Sequence, residues 1–285
     1  MLEMLINPKK AERHPWEMFF VGAFYSFLSL ILVNWIFAKD AVLSQYSGIL
    51  VVTFTVMFSI PFVYYTLKLE EKKINPKTGT IALLKEHKRA LIAFLWLFIG
   101  YVVAFSVGYI LFAPIESFKP QIETYCLINK PYNFQECAEQ YGIKKPSLST
   151  GFATVTEHLL LIFTNNIYVL IFTLVFSLIF GAGVIFVLVW NASVISAAIG
   201  IFTKSNIYAL HTGLIRYLIH GIPEIASYFI VAIAGGLISV AVIKHEFGTE
   251  KFWEVLQDSI NLVILSIVIL FLAALIEVYI TPALF

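Results

Sequence analysis

The sequence predicts an all-α, polytopic membrane helix bundle with about seven transmembrane helices and a cytoplasmic N-terminus. Three observations predict it. Of the 285 residues, 60% are hydrophobic and 13% are charged, against roughly 45–50% apolar and about 25% charged in a water-soluble domain. The apolar residues gather into runs of roughly 20, the length that crosses a bilayer as a helix. Lys and Arg are shared unevenly between the segments that join those runs. With a mean hydropathy of +0.87, the chain holds more apolar side chain than one water-soluble core could hide. A soluble enzyme and a disordered chain are excluded. The formal net charge of +1 offers no basic surface to a phosphate backbone, so no nucleic acid is expected as a partner. The expected setting is the lipid bilayer of a cell membrane, crossed several times.

The first three spans are 18–37, 47–67 and 90–113. Pro61 lies inside the second, where a missing N–H and a ring clash predict a kink. The polar start carries Lys9, Lys10 and Arg13. The long apolar run after it, with no small-residue cleavage site, reads as a retained span rather than a leader.

A block without charge then runs from Leu159 to Thr203. As one helix it would be about 67 Å long, about twice the hydrocarbon thickness, so it must fold back. Gly181 and Gly183 sit near its centre, and glycine adopts turn dihedrals without steric cost. The block reads as a tight hairpin, 159–180 and 184–203, with a re-entrant pair of half-helices as the alternative. Two further spans are expected at 224–243 and roughly 259–281. The stretch 244–258 between them, with Phe252, Trp253, Val255 and Leu256, reads as a short helix lying at the interface.

Orientation follows from the positive charges. With the N-terminus inside, 12 of the 19 Lys and Arg residues fall on internal segments, mainly through the basic loop 68–89. That places the N-terminus in the cytoplasm. The chain divides into an N-terminal three-helix region (1–113), an external loop (114–157) and a C-terminal membrane region (158–285). The external loop holds Cys126 and Cys137, which outside the cell can pair and close a small loop. Two unpaired buried thiols are the alternative.

Ionisable and amide side chains at membrane depth are costly, so each is a functional candidate. The first half offers little beyond Asn34. The second half carries Glu157, His158, Asn165, Asn166, Asn191, His211, Arg216, His220 and Glu224. In His220-Gly-Ile-Pro-Glu224, Pro223 suits a first helical turn and Glu224 is favoured there by the helix dipole. The motif therefore reads as the start of a helix at the membrane surface, with a hydrogen bond from His220 to Glu224. Three roles compete for the set: a cap and polar clasp between helices, a path for a proton or substrate, and a divalent-metal site made of His158, His211, His220 and Glu224. No HxxxH or HExxH spacing supports the last, and no metal or cofactor is expected. No GxSxG, no Ser–Lys pair and no aspartate pair lies within the spans, so no catalytic residue is assigned. Ala232, Gly235, Gly236 and Ser239 form small-xxx-small pairs that read as close helix packing. They permit a homodimer without requiring one.

The order Asn165-Asn166, Gly181-Ala-Gly183, Asn191, His220-Gly-Ile-Pro-Glu224 and Gly235-Gly236 resembles the stage II sporulation protein M family of multi-pass membrane proteins. The resemblance covers about residues 157–243. The most specific part is His-Gly-x-x-Glu opening an apolar helix that bears a glycine pair. The chain departs from the family pattern at Asn191-Ala192, where Asn-Gly is expected. The resemblance implies an integral membrane protein without catalytic activity. In spore-forming bacteria, the family member serves septal remodelling and engulfment as an anchor for peptidoglycan-degrading partners. Other membrane or envelope proteins are therefore the expected partners. Three functions follow in order: a membrane scaffold or complex subunit, a transporter or channel using the broken 159–203 block, and a metal-dependent hydrolase at the outer leaflet.

Overall fold

The computed structural model describes residues 13–71, 80–111, 115–129, 133–143, 155–180, 184–204, 206–243 and 248–285. Among them there are helices and no strand. The long helices are α1 (Met18–Phe37), α2 (Ser47–Glu71) and α3 (Thr80–Leu111). Two short ones follow, α4 (Lys119–Asn129) and α5 (Phe134–Gln140). The second half holds α6 (Val155–Phe180), α7 (Val184–Phe202), α8 (Leu210–Ile243) and α9 (Glu250–Leu275). Helix α9 runs on through a π-helical turn, Ile276–Ile280, into a last turn, Thr281–Leu284. Seven helices among the described residues are long and apolar enough to cross a membrane. The glycine turn at Gly181 and Gly183 lies outside the described residues.

Helix α3 is the hub of the first half, with Phe98, Tyr101, Val102 and Phe105 fully buried. It lies mainly against α1 and α7. The α1–α3 crossing is close because each helix offers a glycine to the other's backbone. A methyl group on Gly22 would strike the Leu97 carbonyl, and one on Gly100 would strike the Phe19 carbonyl. Small residues allow this approach in lipid, where packing rather than the hydrophobic effect joins helices. Hydroxyls add short bonds. Ser59 Oγ and the Tyr101 hydroxyl are 2.6 Å apart between α2 and α3, and Ser196 of α7 donates to the Val102 carbonyl at 3.0 Å. Phe94 of α3 stacks on Phe229 of α8, centroids 5.0 Å apart, so one core runs through both halves.

Three sequence expectations are corrected here. First, Pro223 does not start a helix. It lies inside α8, which begins at Leu210. The start is set earlier by Asn206, whose side chain accepts from the Tyr208 N–H at 3.0 Å. A proline that ends a helix in water is tolerated within a membrane helix, because neighbouring helices and side chains satisfy the freed backbone. Second, 244–258 is not a separate interfacial helix. Thr249 caps α9 by accepting from the Phe252 N–H at 3.2 Å, and the polar residues that follow form its first turns. Third, α6 and α7 match the hairpin reading of 159–180 and 184–203 to within four residues, yet each packs mainly on another helix. Helix α6 lies mainly against α8, and α7 mainly against α3.

The stretch 114–157 is also more than a connecting loop. Cys126 and Cys137 form a disulfide with Cα atoms 5.9 Å apart, which ties α4 to α5. Phe118, Ile122 and Cys126 are buried, and α4 lies against α7. Gln121 donates to the Gly48 carbonyl at 3.0 Å, which ties the cap to the start of α2.

Candidate functional site

The polar side chains of the second half meet at the capped end of the bundle. Asn166 sits about three turns into α6, and Glu224 sits four turns into α8 on the face that meets α6. Asn166 Nδ2 donates to Glu224 Oε1 at 2.7 Å. The Tyr228 hydroxyl, one turn further along α8, donates to Asn166 Oδ1 at 3.1 Å. All three side chains are buried, Glu224 at 8% exposure. A carboxylate this far from water requires such donors, because an unpaired polar group in an apolar setting costs several kcal/mol, roughly 2–7.

His220 turns away from Glu224 toward the last helix. Its Nδ1 lies 3.3 Å from Thr281 Oγ1. The Thr281 hydroxyl donates to the Ile276 carbonyl at 3.1 Å, which leaves its oxygen to accept from His220 Nδ1–H. The expected His220–Glu224 bond is therefore replaced by two bonds to other helices, Glu224 to α6 and His220 to α9. Within a continuous helix, residues four apart lie on one face and can both point at neighbours.

Asn166, His220 and Glu224 line a cavity of about 80 Å³, with room for several waters. Its walls also include Asn165, Asn191 and Glu277, with Tyr125 and Ile128 contributed by the cap. Asn191 Nδ2 is taken by the Val187 carbonyl at 2.8 Å. Tyr217, also in the wall, hydrogen-bonds Tyr125 and Arg216 and so couples the cap to α8.

Other candidates stand apart. His211 is exposed and meets Thr212. Arg216 lies over the rings of Phe202 and Phe285, 4.8 and 5.8 Å from their centroids. Glu157 is exposed. His158 is half-buried, and its Nε2 has no hydrogen-bond partner among the described residues. No group of three His, Cys, Asp or Glu among the described residues is placed to hold a metal ion directly, so the four-residue metal site considered from the sequence does not form. A Cβ on Gly235 would lie 2.8 Å from Ser177 and 2.9 Å from the Leu174 carbonyl, so this face is spent on α6 inside the chain. Gly236 faces nothing within 4 Å and is not a packing contact.

Glu277 is the residue that sequence reasoning missed. It is the lone charge of the apolar run from Ser259 to the end, and that isolation was the available signal. Its place in a π turn is a second signal that only structure shows, since such turns recur at functional sites.

Seven candidate spans among the described residues, four of them lining a polar cavity, define a polytopic all-α membrane protein. The chain belongs to the stage II sporulation protein M family, whose pattern matches residues 23–282. The match thus extends well beyond the stretch 157–243 on which the resemblance rested. An uncharacterised protein of Methanocaldococcus jannaschii is 35% identical over 125 residues, which is 42% of this chain and 69% of that protein. No solved structure matches the chain.

Proposed function

We propose that this protein is a scaffold or complex subunit of the cell membrane, without catalytic activity of its own. The observation that carries this reading is the pairing of polar groups across helices. Asn166 holds Glu224, Tyr228 holds Asn166, and His220 meets Thr281, so α6, α8 and α9 are fastened to one another. The disulfide-tied cap gives envelope or membrane partners a firm surface to dock on. Glu224→Ala and His220→Ala are expected to lower thermal stability and co-purification of partners together. Two variants that fold normally and keep their partners, yet lose a transport or hydrolytic activity, would contradict the scaffold role.

One observation favours transport as a second reading. The cavity touches Asn191, Glu224 and Glu277 between four helices, and polar groups beside interrupted helices mark substrate sites in transporters. Ion or solute flux into proteoliposomes holding the full chain, abolished by Glu224→Gln with folding intact, would favour transport over scaffolding.

A further inference from the structure

The free hydrogen-bonding positions of the cavity are unbalanced. Glu224 Oε1 is taken by Asn166, but Oε2 has no donor among the described residues. Neither oxygen of Glu277 has one. His220 is 6% exposed, and with Nδ1–H given to Thr281 its Nε2 presents a lone pair. Asn191 gives its N–H₂ to the Val187 carbonyl, which leaves its oxygen as an acceptor. These side chains share the wall of one cavity. Tyr228 is committed to Asn166 and Tyr217 to Tyr125 and Arg216; the other donors in the wall are neutral amide N–H groups of Asn165, Asn166 and Asn191, which carry no charge to offset two carboxyl groups. Two acidic side chains in one wall, with no cationic side chain among the residues that line it, favour a positive species that brings its own donors.

We propose that the cavity between α6, α7, α8 and α9 binds one hydrated divalent cation, faced by the carboxylates of Glu224 and Glu277. On binding, the cation displaces any proton the two buried carboxyl groups hold, and together they supply a charge of −2 and hard oxygen donors, the chemistry that suits Mg²⁺ or Ca²⁺ rather than a soft metal. The cation keeps part of its water shell, because among the described residues no three acidic or imidazole side chains are close enough to grip it directly. The retained waters reach His220 Nε2 and the Asn191 oxygen. Mg²⁺ commonly binds in this way, through one or two carboxylates with waters completing the shell. The π turn at Ile276–Ile280 widens α9 where Glu277 meets the cavity. Binding also ties α9 to α8 by a link other than the His220–Thr281 contact.

The test uses the full chain in nanodiscs, stripped with chelator. Tb³⁺ serves as the probe, because Tyr125 and Tyr217 in the wall can sensitise its luminescence. Saturable Tb³⁺ emission displaced by Mg²⁺ or Ca²⁺ is expected. Glu277→Gln, which keeps the side-chain shape, is expected to weaken binding by about tenfold or more. In the wild type, Mg²⁺ or Ca²⁺ is expected to raise the melting temperature, while choline chloride at equal ionic strength is not. Emission that does not saturate overturns the proposal. So does an affinity unchanged in Glu277→Gln, or a stabilisation that choline reproduces. The wild-type melting comparison decides the matter even if the variant does not fold.

Discussion

Asn166 and Glu224 lie 58 positions apart in the chain and meet at 2.7 Å inside the bundle, one amide N–H on one carboxylate oxygen. Tyr228 completes the arrangement by donating to the other end of the same amide. Tyr228→Phe removes that donor and leaves the Asn166 oxygen without one. A loss of about 0.5–1.5 kcal/mol is expected, read by reversible unfolding in detergent.

The α1–α3 crossing predicts a contrast between glycines. Gly22→Ala and Gly100→Ala each push a methyl group into a facing backbone carbonyl, and each is expected to cost about 1–3 kcal/mol. Gly236→Ala, with open space around it inside a helix, is expected to leave stability unchanged or raise it by up to about 1 kcal/mol. Unfolding midpoints of the three variants check the order.

The disulfide closes a loop with a sequence separation of 11. On the chain-entropy estimate, replacing Cys126 and Cys137 by serine lowers stability by about 3 kcal/mol. The uneven distribution of Lys and Arg between the connecting segments predicts a cap outside the cell. In intact cells, a membrane-impermeant maleimide is therefore expected to label both thiols once an impermeant reductant has opened the bond. Labelling only after lysis would put the cap inside.

Asp40 predicts a pH effect. The backbone N–H groups of Leu43 and Val42 donate to its carboxylate at 2.8 and 2.9 Å and hold its pKa below the ordinary value of 3.8. The folded pKa is the depressed one, so the stabilisation is complete above the unfolded pKa and is lost as pH falls through the folded pKa. Asp40→Asn is expected to remove this part of the acid sensitivity, as seen in melting temperatures recorded from neutral pH down into the acid range.

Much of the bundle was legible in the sequence because charge-free runs of bilayer length leave few parses. The helices of the 159–203 block are legible to within a few residues, since its length demands a break near the middle and Gly181 and Gly183 lie there. What misled was chemistry learned from water. Pro223 looks like a first-turn residue, but in lipid the helix continues through it. The stretch 114–157 reads as an external loop because its polar residues outnumber Phe118, Ile122 and Cys126, the side chains that bury. Gly22 and Gly100 escape notice because neither has a glycine beside it or one turn away, whereas Gly235-Gly236 makes a visible pair of which only Gly235 packs. The individual site residues were legible as polar groups in the wrong solvent. Their convergence was not, because it depends on which helices are neighbours. Glu277 joins Glu224 only once α9 is laid against α8.

The most direct measurement of the fastening between α6 and α8 is a double-mutant cycle on Asn166→Ala and Glu224→Ala, followed by unfolding of the full chain in detergent. A coupling energy of about 1 kcal/mol is expected, within the range for hydrogen bonds between membrane helices. Strict additivity, to within about 0.3 kcal/mol, would mean that the two side chains do not hold the helices together.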